Sequence, residues 1–327
     1  VNVRPERPPL PQLPLEQGLD SRQPFYCTDA GGKVPMRLAR KTGSKTLYIS
    51  FHGAIDRAKR ATPIFMPVMP MTGEPANQLM IADPGMEGTG NFTLAWYAGY
   101  EGFPAQEVLL DLIKRAIAYL DIEHVVFMGS SGGGFASLFY SWHIPGSTCL
   151  AVSPQTDIRR YYSGHGGRYT AACWPSLPGV EALGEVICAD VVALYRQAVP
   201  NTVVLLHSTG DQFHLKQHVA PLVDAISAHG KSRLILQCGY WGIPDHSNSV
   251  PVALATQWLN TVINNPGASV PELLTAWHAE YGTAPAASGP PAAAPAAAPA
   301  KPGPAKTFGG DDLRLANALT TSMLAER

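Results

Sequence analysis

Short apolar runs alternate with stretches of helical spacing along most of the chain. The runs at 46–52, 78–82, 124–128, 149–153, 202–207 and 233–238 carry Val, Ile and Leu at consecutive positions, so both faces of each are apolar. Such strands suit a parallel sheet covered on both sides, because a half-solvated strand would alternate apolar with polar. Between them Leu109, Leu112, Ile113, Ala116, Ile117 and Leu120 recur at intervals of three and four, and similar patterns cover 185–198, 215–229 and 250–263. That spacing gathers apolar side chains on one helix face. Strand and helix in alternation predict a doubly wound α/β fold.

The pattern fails at both ends. Residues 1–24 hold six prolines, which fix φ and remove donors, so a Pro-rich extended arm is expected there. Eleven of the 23 residues in 284–306 are Ala and seven are Pro, a composition with nothing to bury and hence a linker. Beyond it, 307–327 carries Leu315, Leu319 and Met323 in one stripe, which predicts a short terminal helix suited to a protein partner. One globular domain is left, 25–283, with an insert at about 154–184.

Composition narrows the function classes. Of 327 residues 46% are hydrophobic and 15% charged, enough for a full core and too little charge for disorder. With 24 basic against 25 acidic residues the net charge is −1, so no electrostatic footprint for nucleic acid is present. Five cysteines, widely spaced and without a CxxC pair, predict neither a disulfide scaffold nor a zinc site. No run is long enough to span a membrane and no leader opens the chain, which favours a cytoplasmic location. The first residue is Val1, which is compatible with processing, excision from a longer chain or an unusual translation start.

The most informative segment runs from His124 to Tyr140, where a buried strand passes through Gly129-Ser130-Ser131-Gly132-Gly133 into an apolar helix. Gly-x-Ser-x-Gly in that context marks a nucleophile elbow: the serine takes strained dihedrals, and the flanking glycines let strand and helix approach. Ser131 is the central serine. Ser130 fails because Met128 stands two positions before it. A glycine-rich phosphate turn is the competing reading, and it lacks both GxxxxGK[ST] and a spaced GxGxxG.

Over roughly 44–264 the chain resembles the α/β-hydrolase superfamily of serine esterases and acyl hydrolases. The resemblance implies an α/β-hydrolase fold with a lid-like insert, no cofactor, and an acid and a histidine on loops after later strands. Asp211, in the turn after 202–207, and His246, after 233–238 and opening the last helix, stand where the family has them. Asp245 and, more weakly, Asp157 are alternative acids. The oxyanion donors it implies are the N–H groups of Gly132 and of Ala54, in a His52-Gly53 turn, with Gly53 as the alternative to Ala54.

His214 and His218 lie four apart and could suggest a metal, but no carboxylate or third histidine is seen to complete a ligand set, so one partly exposed helix face is expected. Two inserts, 84–104 and 154–184, are expected to wall the pocket, with Trp96, Tyr97, Tyr161 and Arg159 as substrate-binding residues; aromatics beside arginines suit a small or carbohydrate-linked ester. The implied activity is ester cleavage through an acyl-enzyme on Ser131, His246 and Asp211. An acyltransferase with the same triad, or an inert binding module on the same fold, are the alternatives.

Overall fold

The computed structural model describes residues 9–57, 59–73, 76–87, 92–246 and 249–282. The expected linker at 284–306 and terminal helix at 307–327 lie outside them. Nine strands among the described residues form one sheet: β1 (Gln12–Leu13), β2 (Phe25–Cys27), β3 (Val34–Ala39), β4 (Thr46–Phe51), β5 (Asn77–Ile81), β6 (His124–Ser130), β7 (Thr148–Val152), β8 (Thr202–Ser208) and β9 (Leu234–Gly239). Their order is β1-β2-β3-β5-β4-β6-β7-β8-β9. From β5 to β9 every pairing is parallel, while β3 runs antiparallel to both β2 and β5.

Side chains of each central strand divide by parity between two cores. Leu47, Ile49, Phe51, Val125, Phe127, Val203 and Leu205 enter one core, together with Leu15 of α1 (Leu15–Asp20), Leu109 and Ile113 of α2 (Ala105–Tyr119), and Phe135 and Leu138 of α3 (Gly132–Trp142). Tyr48, Val126, Met128, Val204 and Leu206 face the other. There Trp258 and Leu259 of α6 (Val252–Asn264) and Leu273 of α7 (Val270–Tyr281) cover the sheet. The period of two along a strand thus feeds both faces, and the fold is doubly wound α/β. No helix among the described residues is long and apolar enough to cross a membrane.

The six central strands lie where the apolar runs placed them. The N-terminal region differs from the expected arm: β1 pairs with β2, and the six-residue α1 buries Leu15 and Leu19. Pro11, Pro14 and Pro24 flank these elements instead of interrupting them, with Pro14 at the N-cap where no N–H is missed. The expected helix at 185–198 is also replaced, by a 3₁₀ turn (Val180–Glu185) and a single α turn (Val192–Tyr195). Asp190 breaks it, since its carboxylate accepts from the Val192 N–H and its backbone bridges to Asp157.

The turn between β6 and α3 is the tightest contact in the sheet's centre. A Cβ on Gly129 would lie 2.2 Å from the Gly133 carbonyl oxygen, and one on Gly133 would lie 2.4 Å from that of Phe51. Both obstacles are backbone and cannot swing aside. Gly133→Ala is therefore expected to lower stability by about 3 kcal/mol or more, read as a fall in the denaturation midpoint. An unchanged midpoint would mean that the strand and helix do not approach this closely.

Candidate active site

Ser131 stands between β6 and α3 with φ 54° and ψ −119°, a conformation that a side-chain-bearing residue adopts only where its surroundings impose it. Its N–H donates to the Val152 carbonyl and its own carbonyl accepts from Gln155, so β7 grips the elbow from one side. The side chain is buried. Its Oγ accepts a hydrogen bond from Gln155 Nε2 at 2.9 Å, and Gln155 in turn accepts from Trp96 Nε1 at 2.5 Å. Because Oγ is an acceptor there, its own proton remains available to a base.

Asp211 caps the helical segment that follows β8 and accepts from the His214 N–H. Its Oδ2 lies 2.6 Å from Nδ1 of His246, and its Oδ1 lies 3.0 Å from Nδ1 of His214. Burial alone would raise the Asp211 pKa, but the hydrogen bonds from His214 and His246 outweigh it and hold the carboxylate below its usual range. An ionised carboxylate accepts, so each Nδ1 carries the proton and each Nε2 the lone pair. The Nε2 of His246 is buried and has no partner among the described residues.

Of the alternative acids, Asp157 is committed to Arg159 through two 2.9 Å bonds, and it is Asp211, not Asp245, that meets the His246 ring. His246 itself lies in the loop ahead of α6, which starts only at Val252, and α7 follows α6; it does not open a last helix. Among the described residues no hydrogen bond joins Ser131 to His246, and Gln155 Nε2 donates to the serine oxygen instead.

The turn after β4 lies against the elbow. A Cβ on Gly53 would be 3.6 Å from that of Ser131, and neither the Ala54 nor the Gly132 N–H donates to a described protein acceptor. The turn is held from behind. Nδ1 of His52 donates to the Gly53 carbonyl at 2.8 Å, its Nε2 accepts from the Asp83 N–H, and its backbone N–H donates to the Tyr97 hydroxyl. Burial pushes His52 down to about 4 and Asp83 up to about 7, which keeps this network uncharged more readily than water would.

The expected substrate-binding residues are placed elsewhere in the packing. Tyr97 is wholly buried, and its hydroxyl donates to the Ile81 carbonyl while accepting from His52; it braces the turn behind Ala54. Trp96 and Tyr161 are buried edge to face against each other, and Trp96 holds Gln155. The guanidinium of Arg159 lies bidentate on Asp157. The insert's helix α4 (Ser163–Cys173) is tied to the first insert through Tyr169, whose hydroxyl donates to the Gly99 carbonyl at 2.8 Å.

His214 and His218 are fully buried, not half exposed. A spacing of four shows that two residues share a face but not where the face points. Here that face looks inward on the site, and a π-helical turn (Leu215–Val219) leading into α5 (Ala220–His229) brings the two ring centroids within 5.2 Å. Asp211, His214 and His246 bring ligand-type atoms within 4.8 Å of one another. With both Nδ1 atoms on one carboxylate and the rings near parallel, their lone pairs run side by side instead of converging on one ion.

Two arrangements decide the fold. Ser131 sits at a strained strand-to-helix turn after β6, and Asp211 and His246, in hydrogen-bond contact, follow β8 and β9 in that order. The chain has an α/β-hydrolase fold. Among solved structures this chain is similar to the capsule O-acetyltransferase of Neisseria meningitidis serogroup A, with TM-score 0.53 and 14% identity over 74% of this chain and 94% of that one. A mutant of that protein in complex with CoA gives TM-score 0.54 at 12% identity, over 73% and 94%. More distant are a fluorophosphonate-binding serine hydrolase of Staphylococcus aureus (TM-score 0.44, 11% identity, 74% and 97%) and a peroxisomal alpha-beta-hydrolase of Saccharomyces cerevisiae (0.43, 10%, 77% and 90%). No family model and no curated protein matches the chain.

Proposed function

We propose that this α/β-hydrolase cleaves a small or carbohydrate-linked carboxylic ester through an acyl-enzyme. The observation that carries the reading is the 2.6 Å contact between Asp211 and Nδ1 of His246, which leaves a lone pair on the buried Nε2 of a histidine placed after β9. Ser131 Oγ bonds to the acyl carbon as its proton passes to His246 Nε2, and the carbonyl pair moves onto oxygen, facing the N–H groups of Gly132 and Ala54. The proton then goes to the departing alkoxide as the C–O bond breaks. In the second half a water repeats the sequence and frees Ser131.

A second reading is acyl transfer, in which a sugar hydroxyl takes the place of that water. It is favoured by the likeness to an O-acetyltransferase and by the burial of both Ser131 and His246, since an enclosed acyl-enzyme meets less water. One experiment addresses both. Fluorophosphonate treatment followed by peptide mapping is expected to mark Ser131, and product analysis of p-nitrophenyl acetate turnover, with and without an added alcohol, separates free acid from transferred ester. Absence of label on Ser131 would sink both readings and leave the inert module.

A further inference from the structure

The carboxylate of Asp211 serves two imidazoles, not one. His246 takes Oδ2, while Oδ1 accepts from both the Nδ1–H and the backbone N–H of His214. The two rings stack with centroids 3.7 Å apart and planes 12° apart, a tighter pairing than edge-on histidine contacts allow. His214 has no solvent exposure, and its Nε2 has no partner among the described residues. A histidine that is buried, spends its donor on the acid and lies face to face with the proposed base is poorly explained as filler, because an aliphatic residue would fill the space without desolvating a polar ring.

We propose that His214 is a positioning residue: its two N–H groups lock Oδ1, which turns Oδ2 toward His246, and its ring is the platform that sets the plane of the His246 imidazole. This rests on the reading of Ser131, His246 and Asp211 as the reacting unit. The groups around His214 support a neutral donor. Besides Asp211 and His246 they are His218 one turn on, Tyr161 and Tyr162 from the insert, His207 of β8, whose ring nitrogen lies 3.2 Å from the Asp211 carbonyl oxygen, and Arg160, whose charge acts on His218. Burial first, and then the neighbouring His246, push His214 down to about 4, so near neutral pH it donates from Nδ1 without adding a second cation beside the imidazolium that forms on His246.

The donor has a signature in pH. A hydrogen bond to Oδ1 stabilises the bare carboxylate more than one already facing an imidazolium, so it favours the unprotonated, active form of the base. Without it the inactivating proton is held more tightly, and the acid limb of kcat/KM moves to higher pH. His214→Phe keeps a ring for stacking but has no donor; His214→Asn places an amide N–H close to the position of Nδ1; His214→Gln carries its amide one bond too far.

The full chain and each variant are assayed on p-nitrophenyl acetate across pH, with Ser131→Ala and His246→Ala alongside and near-UV circular dichroism to confirm folding. His214→Phe is expected to lower kcat by about 100-fold with KM nearly unchanged, and to raise the acid limb by about one unit. His214→Asn stays within about threefold of the parent with the limb unmoved. If His214→Phe does not fold, His214→Gln takes its place and shows the same shift. Parental kcat and acid limb in the folded donor-less variant overturn the proposal, as does equal impairment of His214→Asn. If Ser131→Ala and His246→Ala are inactive in that case, only the role of His214 falls; if they remain active, the reacting unit falls with it.

Discussion

Ser131→Ala and His246→Ala are each expected to cut turnover of a small ester by about 10³-fold or more, with the double variant little worse than either. The reason lies in the proposed function, in which Ser131 and His246 act as one unit: without the lone pair on His246 Nε2 the hydroxyl keeps its proton, and without the hydroxyl that lone pair has nothing to receive. Melting temperatures of both variants should stay close to the parent. Steady-state kinetics on the three proteins decide the matter, because losses that multiply would show two groups working independently and would require another assignment for one of them.

The parts of this site differ in how readily the sequence discloses them. The elbow is legible because its constraint is local: Gly129 and Gly133 are needed where a Cβ would strike backbone, and no other residue type meets that need. The central strands are legible because both faces of each are buried, which writes a continuous apolar run. Strands β1 and β2 are not, since they are two and three residues long and lie at the sheet's edge between prolines, and β3 carries Pro35 inside its run. Helix α7 did have a written signal, the capping box from Ser269 to Glu272, ahead of an apolar stripe. Gln155 had none. Its importance comes from β7 lying beside β6, and nothing in a glutamine after Ser-Pro indicates a serine oxygen within reach. His214 is a similar case, and Trp96 and Tyr97 fail in the other direction, as loop aromatics that suggested a pocket wall and instead brace the site from behind.

The second large effect is expected in acid. His52, His143, His207, His214 and His218 are all lowered by burial, so the unfolded chain binds more protons than the folded one once pH drops below about 6.5. For a histidine held down in this way the stabilisation is complete above its unfolded pKa and is lost as pH falls through the window toward its folded value. His52 alone, at about 4 in the folded chain, contributes on the order of 3 kcal/mol across that window. Asp83, Glu87 and Asp190, raised by burial, run the opposite way and offset only part of it. Below the window Asp211, lowered by its two histidines, adds to the loss. Urea midpoints should therefore fall steeply from pH 7 to pH 4.5. A midpoint at pH 4.5 equal to or above that at pH 7 would contradict the neutral state assigned to these histidines.

The parallel half of the sheet also dictates when the protein becomes competent during its own synthesis. Ser131, Gln155, Asp211 and His246 follow β6, β7, β8 and β9 in turn, and each successive parallel pairing has to wait for the crossover segment before it. The acid and the histidine thus belong to the last strands that can be added, at the edge farthest from the N-terminal hairpin of β2 and β3. A nascent chain that has completed everything through β7 already holds the strained serine, yet it has neither the carboxylate nor the imidazole beside it. Under the proposed function, catalytic power is withheld until the sheet is finished, and the recovery of turnover on refolding is expected to clock the closure of its final edge.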